Sequence, residues 1–379
     1  MALMWRPGRA SRGVLVLIAA ISIIGYVLVE QLPSKQRKKY YREKMAAAKL
    51  MDAGMKAIRD KKLLIFGRID TEHDPNGTGM IGSGLTPITS KEGSLAAKQT
   101  SANPNFAAVL VQLYKRASLK KGDVVAMGFS GSFPSLNLAS MVAAEVLGLE
   151  PIAISSASAS RWGANNPQFS WLDMERLLYE KGIIHHRSVA ASLGGERDRG
   201  GGIPPEGIRH LRKIIKRNGV ELIDPASLEA SWDLRMNIYR EEAGKRPISC
   251  FVNTGGGAGS VGSPLVKKMF KSGLNRTTPV PDRIRDSVMT RISRAGIPVI
   301  HLINIVRMAK RYGLPVQPDH YPEVAEGGIF TDLEYDTTLA WVVLLALILA
   351  TFILLRMDVA HYFLRIKSNM QRTGRPKNS

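Results

Sequence analysis

The chain has 379 residues and carries 53 Lys and Arg against 32 Asp and Glu, a formal net charge of +21. One cysteine, Cys250, excludes an intrachain disulfide and a cysteine-based metal site, and seven histidines without HExxH or comparable spacing predict no metal and no cofactor. Only 7% of residues are aromatic and no basic helix interleaves with aromatics, so the charge points away from nucleic acid. An anionic partner such as lipid headgroups or an acidic polymer fits it better.

From the amino end, the first feature is an uncharged apolar run from about Gly13 to Val29. A second runs from about Leu339 to Leu355. Each has roughly the 17 to 25 residues needed to cross a bilayer core. These runs predict three regions: a membrane helix with a basic linker (1–44), a folded domain (45–335), and a second membrane helix with a basic tail (336–379). The second span has an acidic approach (Asp332, Glu334, Asp336) and a basic exit (Arg356, Arg365, Lys367, Arg372, Arg375, Lys377). The positive-inside rule puts that exit in the cytoplasm, and two crossings then put the amino terminus there and the domain outside the cell. The first span is less clear: Arg6, Arg9 and Arg12 precede it, but Lys35, Arg37, Lys38, Lys39, Arg42 and Lys44 follow it. No small-x-small cleavage pattern stands before Leu32-Pro33, so the span reads as an anchor rather than a cleaved leader.

Between the spans, residues 45–60 read as a helix and 62–67 (KLLIFG) as a short buried strand. Residues 68–103, rich in Gly, Thr and Ser, read as a long loop. Helices follow at 106–117, 136–148, 169–182, 204–219, 228–244, 263–273 and 284–296. Strands follow at 123–130, 150–158, 185–193, 247–257 and 297–304. Strands and helices alternate about every 15 residues by this reading, which predicts an α/β fold: a Rossmann-like parallel sheet flanked by helices, set between the two terminal membrane helices.

Ligands of such sheets bind beyond the carboxyl ends of the strands. Here those ends are crowded with Ser and Gly: GFSGSFPS (128–135), SSASASRWGANNP (155–167), SLGGERDRGGG (192–202) and NTGGGAGSVG (253–262). Glycine lets backbone approach a ligand, and hydroxyls and free N–H groups suit anionic oxygens. The candidate ligand-binding residues are therefore Gly128, Gly131, Ser155, Ser156, Ser158, Arg161, Asn165, Arg197, Asp198, Asn253, Thr254, Gly255, Gly256 and Gly257. Arg199 is a further counter-charge, and Thr86, Thr89, Lys98 and Thr100 are further contacts. GFSGS is not the GxSxG nucleophile elbow, yet Ser130 sits where a strand meets a helix. Ser130 or Ser132 as nucleophile, His301 as base, and Asp198 or Asp173 orienting it would make a catalytic site.

GFSGSFPSLNLA, ISSASASRWGANNPQFSWLDMERLLYEKG, RSVAASLGGERDRG, FVNTGGGAGSVG and IPVIHLINI resemble the poly-gamma-glutamate system protein family over nearly the whole chain. The resemblance implies a bacterial inner-membrane protein accompanying the membrane synthase subunits that make and export poly-gamma-glutamate. It transfers no catalytic residue. It leaves three roles open: handling of an acidic chain or donor, a serine hydrolase or transpeptidase that trims the polymer, and a scaffold for other membrane subunits.

Overall fold

The computed structural model describes residues 12–373. Arg6, Arg9, Arg375 and Lys377, which entered the charge argument above, lie outside that range. Helix α1 (Arg12–Gln31) and strand β1 (Pro33–Arg37) come first. Chain contacts then define one compact unit over Lys38–Phe330, with the terminal segments forming another.

Within the compact unit the elements are α2 (Tyr41–Phe66), α3 (Leu95–Ser101), α4 (Phe106–Arg116), β2 (Val124–Ser130), α5 (Pro134–Leu147) and β3 (Glu150–Ser156). A two-residue pair, β4 (Asn165–Asn166) and β5 (Phe169–Ser170), leads into α6 (Trp171–Glu180), β6 (Ser188–Ser192), α7 (Pro205–Arg217) and β7 (Glu221–Ile223). Then come α8 (Leu228–Ala243), β8 (Ile248–Thr254), α9 (Ala258–Val261), α10 (Pro264–Met269), β9 (Gly273–Asn275), α11 (Val288–Arg294), β10 (Val299–Leu302) and α12 (Ile305–Arg311).

Seven strands form one sheet in the order β7-β6-β3-β2-β8-β10-β9. All pairs are parallel except β9 with β10, which is antiparallel. The run VVAMGFS suits its central place, because a strand covered on both faces is apolar at every position. Its side chains alternate between two cores. Val125 and Met127 join one with Phe106, Leu110, Leu138, Met141, Leu211 and Met308. Val124 and Ala126 join the other with Trp232, Met236, Tyr239, Val266 and Val288. Helices therefore cover both faces.

Local signals set the helix ends. Pro134 opens α5 at its first turn and Gly148 closes it in the left-handed region. Ser170 and Asp173 form a capping box on α6. The strand expected at 62–67 is instead the end of α2, which runs unbroken to a cap at Gly67. Leu64 there is 82% exposed. A short apolar run cannot distinguish strand from helix by itself, and here the preceding helix simply continues. Helix α3, within the expected loop, is a further element that the reading of 68–103 did not contain; Ser94 caps it by accepting from the Ala97 N–H.

The terminal unit holds α1, β1, β11 (Thr331–Tyr335) and α13 (Thr337–Thr373). Residues Arg12–Gln31 and Thr337–Leu354 form two helices long and apolar enough to cross a membrane. They pack together, and Gly25 is buried there: a Cβ at that position would meet Val343 Cγ1 at 2.8 Å. Strands β1 and β11 pair antiparallel, from Pro33 with Tyr335 to Arg37 with Thr331. Lys35 and Arg37 lie on one face of this ribbon with Leu333 and Thr331, and Asp332 and Glu334 lie on the other with Gln36 and Ser34.

Candidate functional site

The strand order reverses between β2 and β8: the chain builds β2-β3-β6-β7 outward on one side and β8-β10 on the other. The crevice beyond the carboxyl ends of strands at such a reversal is where open α/β sheets hold ligands. The register aligns three serines at that edge, Ser130 with Ser156 and Ser156 with Ser192. One step inward, Gly128 pairs with Asn253 and Asn253 with His301.

The expected ligand residues fall into two groups. The first are packing and bracing groups. A Cβ on Gly128 would meet Ser260 Oγ at 2.3 Å, so glycine here lets α9 approach the sheet. A Cβ on Gly131 would meet the Ser158 carbonyl oxygen at 2.9 Å. Ser155 shares a 2.7 Å hydrogen bond with Ser188, which donates to Glu175. Asn165 is spent on the preceding loop: its Nδ2 donates to the Ser83 carbonyl and Thr89 Oγ1, and its Oδ1 accepts from the Ser83 N–H. The Thr86 hydroxyl also donates to the Asn165 carbonyl, and Thr100 donates to Ala96 O. Asp198 is paired with Arg235 and accepts from Ser192 and Ser231. Ser156 reaches the same carboxylate at 3.4 Å. Arg161 pairs with Glu92, Arg199 donates to the Ala226 carbonyl, and Arg197 is exposed.

The second group lines the crevice itself. Among the described residues Ser130 Oγ accepts only from the Ser132 N–H, at 3.2 Å. At Gly255, φ 81°, an added Cβ would meet Phe133 at 3.6 Å and Ser130 Cβ at 3.9 Å. Gly256 lies beside the Lys267 ammonium, and Gly257 faces open space. Thr254 is buried with its hydroxyl unpartnered among the described residues.

Ser130 and His301 do not form a dyad. His301 lies on β10, two strands from β2, which at about 4.8 Å per strand separates the chains by about 10 Å. Its Nδ1 is engaged by Asn253 Nδ2 at 3.0 Å, and no hydrogen bond joins it to Ser130, Asp198 or Asp173. Asp173 instead holds Ser170, Asn218 and Arg217.

Three lysines give the crevice its charge. Lys98 is buried, its Nζ donating to the Ser132 carbonyl and to Ser160 Oγ and lying 3.6 Å from the Phe133 ring centre. Burial, then the nearby Lys91 charge, holds its pKa down to about 7. Lys91 is lowered in turn by burial and by Lys267. Among the described residues no carboxylate pairs with Lys91, Lys98 or Lys267. Of these only Lys98 was named from the sequence. Lys267, in LVKKM, has the look of an ordinary solvated helix face, and Lys91 stands in a loop without periodicity.

A neutral Lys98 amine 3.1 Å from Ser160 Oγ has base-to-nucleophile spacing. Ser160 is 3% exposed, however, and a Cβ on Gly93 would lie 3.0 Å from its oxygen, so the hydroxyl is roofed over. The pair acts as a brace that fixes Lys98 at the edge of the crevice.

Elsewhere, Asp70, Glu72 and His73 bring potential metal-ligand atoms within 4.8 Å of one another on the surface. The His73 ring is stacked on Trp162, with ring centres 4.1 Å apart. Cys250 is buried in β8, its thiol pushed up to about 12 by loss of solvent, so it is a core residue. No family model, curated protein or solved structure matches the chain.

Proposed function

We propose that the α/β unit is an anion-binding module held at a membrane by the two terminal helices, and that it handles an acidic chain or its donor during poly-gamma-glutamate synthesis or export. The observation that carries this reading is the uncompensated lysine set at the strand-order reversal. Lys98 is buried while Lys91 and Lys267 are exposed beside it; the like charges repel, and an oxyanion ligand relieves that repulsion. Gly256 and Gly257 are part-exposed, and Gly255 before them packs beside Ser130. The partners in this reading are the polymer, the bilayer and the membrane subunits of the synthase.

The same proposal places the module outside the cell and both termini in the cytoplasm of a bacterial inner membrane. Its support is the asymmetry of the second span, acidic before and basic after. The basic stretch after the first span argued the other way. Part of that stretch, Lys35 and Arg37, lies on the strand paired with β11, whose Asp332 and Glu334 reduce the local positive excess on that side. A reporter fused after Ser379 and active only outside the cell would reverse this orientation.

The binding test uses the full chain in nanodiscs with a γ-glutamyl oligomer. Binding is expected to weaken steeply with salt, as ion pairing does. The triple change Lys91→Met, Lys98→Met, Lys267→Met should abolish it. Absence of binding to any anionic polymer would leave the scaffold role.

A further inference from the structure

The neighbourhood of His301 holds a donor without an acceptor. Asn253 Nδ2 lies 2.6 Å from the Gly255 carbonyl oxygen, which can only accept, so the amide nitrogen of Asn253 is identified by its partner. The same nitrogen lies 3.0 Å from His301 Nδ1, which must therefore be an acceptor. A ring that accepts at Nδ1 is neutral and carries its proton on Nε2. His301 Nε2 is buried with no hydrogen-bond partner among the described residues, and the residue is fully buried. Burial and the nearby Lys267 charge hold the ring's pKa down to about 3, in keeping with the neutral form.

Native interiors rarely leave a donor unpaired, and those that do so tend to reserve it for something else. Lys267 has no acidic partner among the described residues and sits against Gly256. We infer that His301 Nε2–H is a ligand donor, and that with the Lys267 ammonium it holds one oxyanion head-group, a carboxylate or a phosphoryl group, at the Gly255–Gly257 loop. This deepens the anion-binding reading above and rests on it. It gives His301 the role of a neutral donor, not of a base. Asn253 is the positioning residue: it locks the tautomer and occupies the other ring nitrogen. A neutral donor beside a lysine also suits a ligand with one charge better than a second cation would, because it adds no repulsion to the lysine set.

The test is ring-nitrogen NMR of the full chain in nanodiscs with ¹⁵N-labelled histidine. His301 is recognised as the ring that stays neutral at pH 4. Without ligand it should show the Nε2-protonated neutral tautomer. Titration with a γ-glutamyl oligomer and, separately, with inorganic phosphate should move its Nε2 resonance. A response to the oligomer alone assigns a carboxylate ligand, and a response to phosphate alone assigns a phosphoryl group; both uphold the subsite. His301→Phe and Lys267→Met should each weaken binding roughly 10-fold. Should His301→Phe fail to fold, the shift in the unaltered protein decides the matter alone. Salt-sensitive binding with an unmoved Nε2 resonance would overturn this inference and leave the anion-binding reading standing. No binding of either probe would overturn both.

Discussion

Asp198 and Arg235 form an ion pair at 2.8 Å with both side chains 1% exposed. Asp198 comes from the Gly-rich loop after β6 and Arg235 from α8, so the pair fastens that loop to the helix packed on the sheet. Ser231 and Ser192 donate to the same carboxylate, and Arg235 also donates to Ser192 Oγ at 2.7 Å. A Cβ on Gly259 would lie 2.8 Å from both charged groups, so glycine there lets α9 close over them. Asp198→Asn or Arg235→Leu leaves a buried charge unmatched and should cost about 3 to 5 kcal/mol of stability. Urea unfolding of the full chain measures it. A loss below about 1 kcal/mol would mean that the pair is solvated after all.

Lys98 should make stability depend on pH in a defined direction. Its pKa falls from an ordinary 10.5 to about 7 on folding, through burial and then the Lys91 charge. Between those values the unfolded chain holds the extra proton, so stability rises as pH increases from about 7 to about 10.5. Below pH 7 the full cost of a buried ammonium remains. Lys98→Met should remove this slope and stabilise the protein at pH 6 by about 2 to 4 kcal/mol. An unchanged slope would place the charge elsewhere. An anion bound beside Lys98 favours the ammonium form, so binding at pH 8 should take up protons. Calorimetry in buffers of different ionisation enthalpy reads that uptake directly.

Glu175 works in the opposite sense. It is fully buried on α6, one oxygen accepting from Ser188 Oγ at 2.9 Å and the other without a partner. Loss of solvent raises its pKa to about 7 against hydrogen bonds from Ser188 that lower it. The folded chain therefore holds the extra proton between about 4.5 and 7, and stability falls as pH rises through that window. Glu175→Gln should abolish the fall and raise stability at pH 8 by about 2 kcal/mol. A destabilising outcome at pH 8 would show that the ionised carboxylate is compensated.

Gly25 tests the pairing of the two terminal helices. Its missing Cβ admits Val343 and Leu347 of α13, the close approach that small residues permit between apolar helices. Cysteines at Ser34 and Glu334, partners across the β1–β11 ribbon, should cross-link readily. Adding Gly25→Leu should lower the yield several-fold. Full cross-linking with leucine at 25 would mean that the ribbon forms without the helix contact.

Residue order alone carried the architecture of the α/β unit, because its evidence is local. Buried runs such as VVAMGFS, proline at helix starts and glycine at helix ends act over a few residues, and they placed most strands and helices within a few positions. Where the local signal was ambiguous, as at 62–67, the reading failed. The two apolar terminal runs were equally legible from length and lack of charge. The Ser/Gly character of the strand ends was legible too, but its meaning was not. Only the tertiary structure separated Gly128, Gly131, Asn165 and Asp198, which pack and brace, from Ser130, Thr254 and Gly255–Gly257, which line the crevice. It also brought Lys91, Lys98 and Lys267 to one edge from a loop and two helices far apart in the chain, and it set His301 against Asn253 rather than Ser130. Strand order, burial and charge proximity are relations between distant residues, and a periodicity of two or of 3.6 contains none of them.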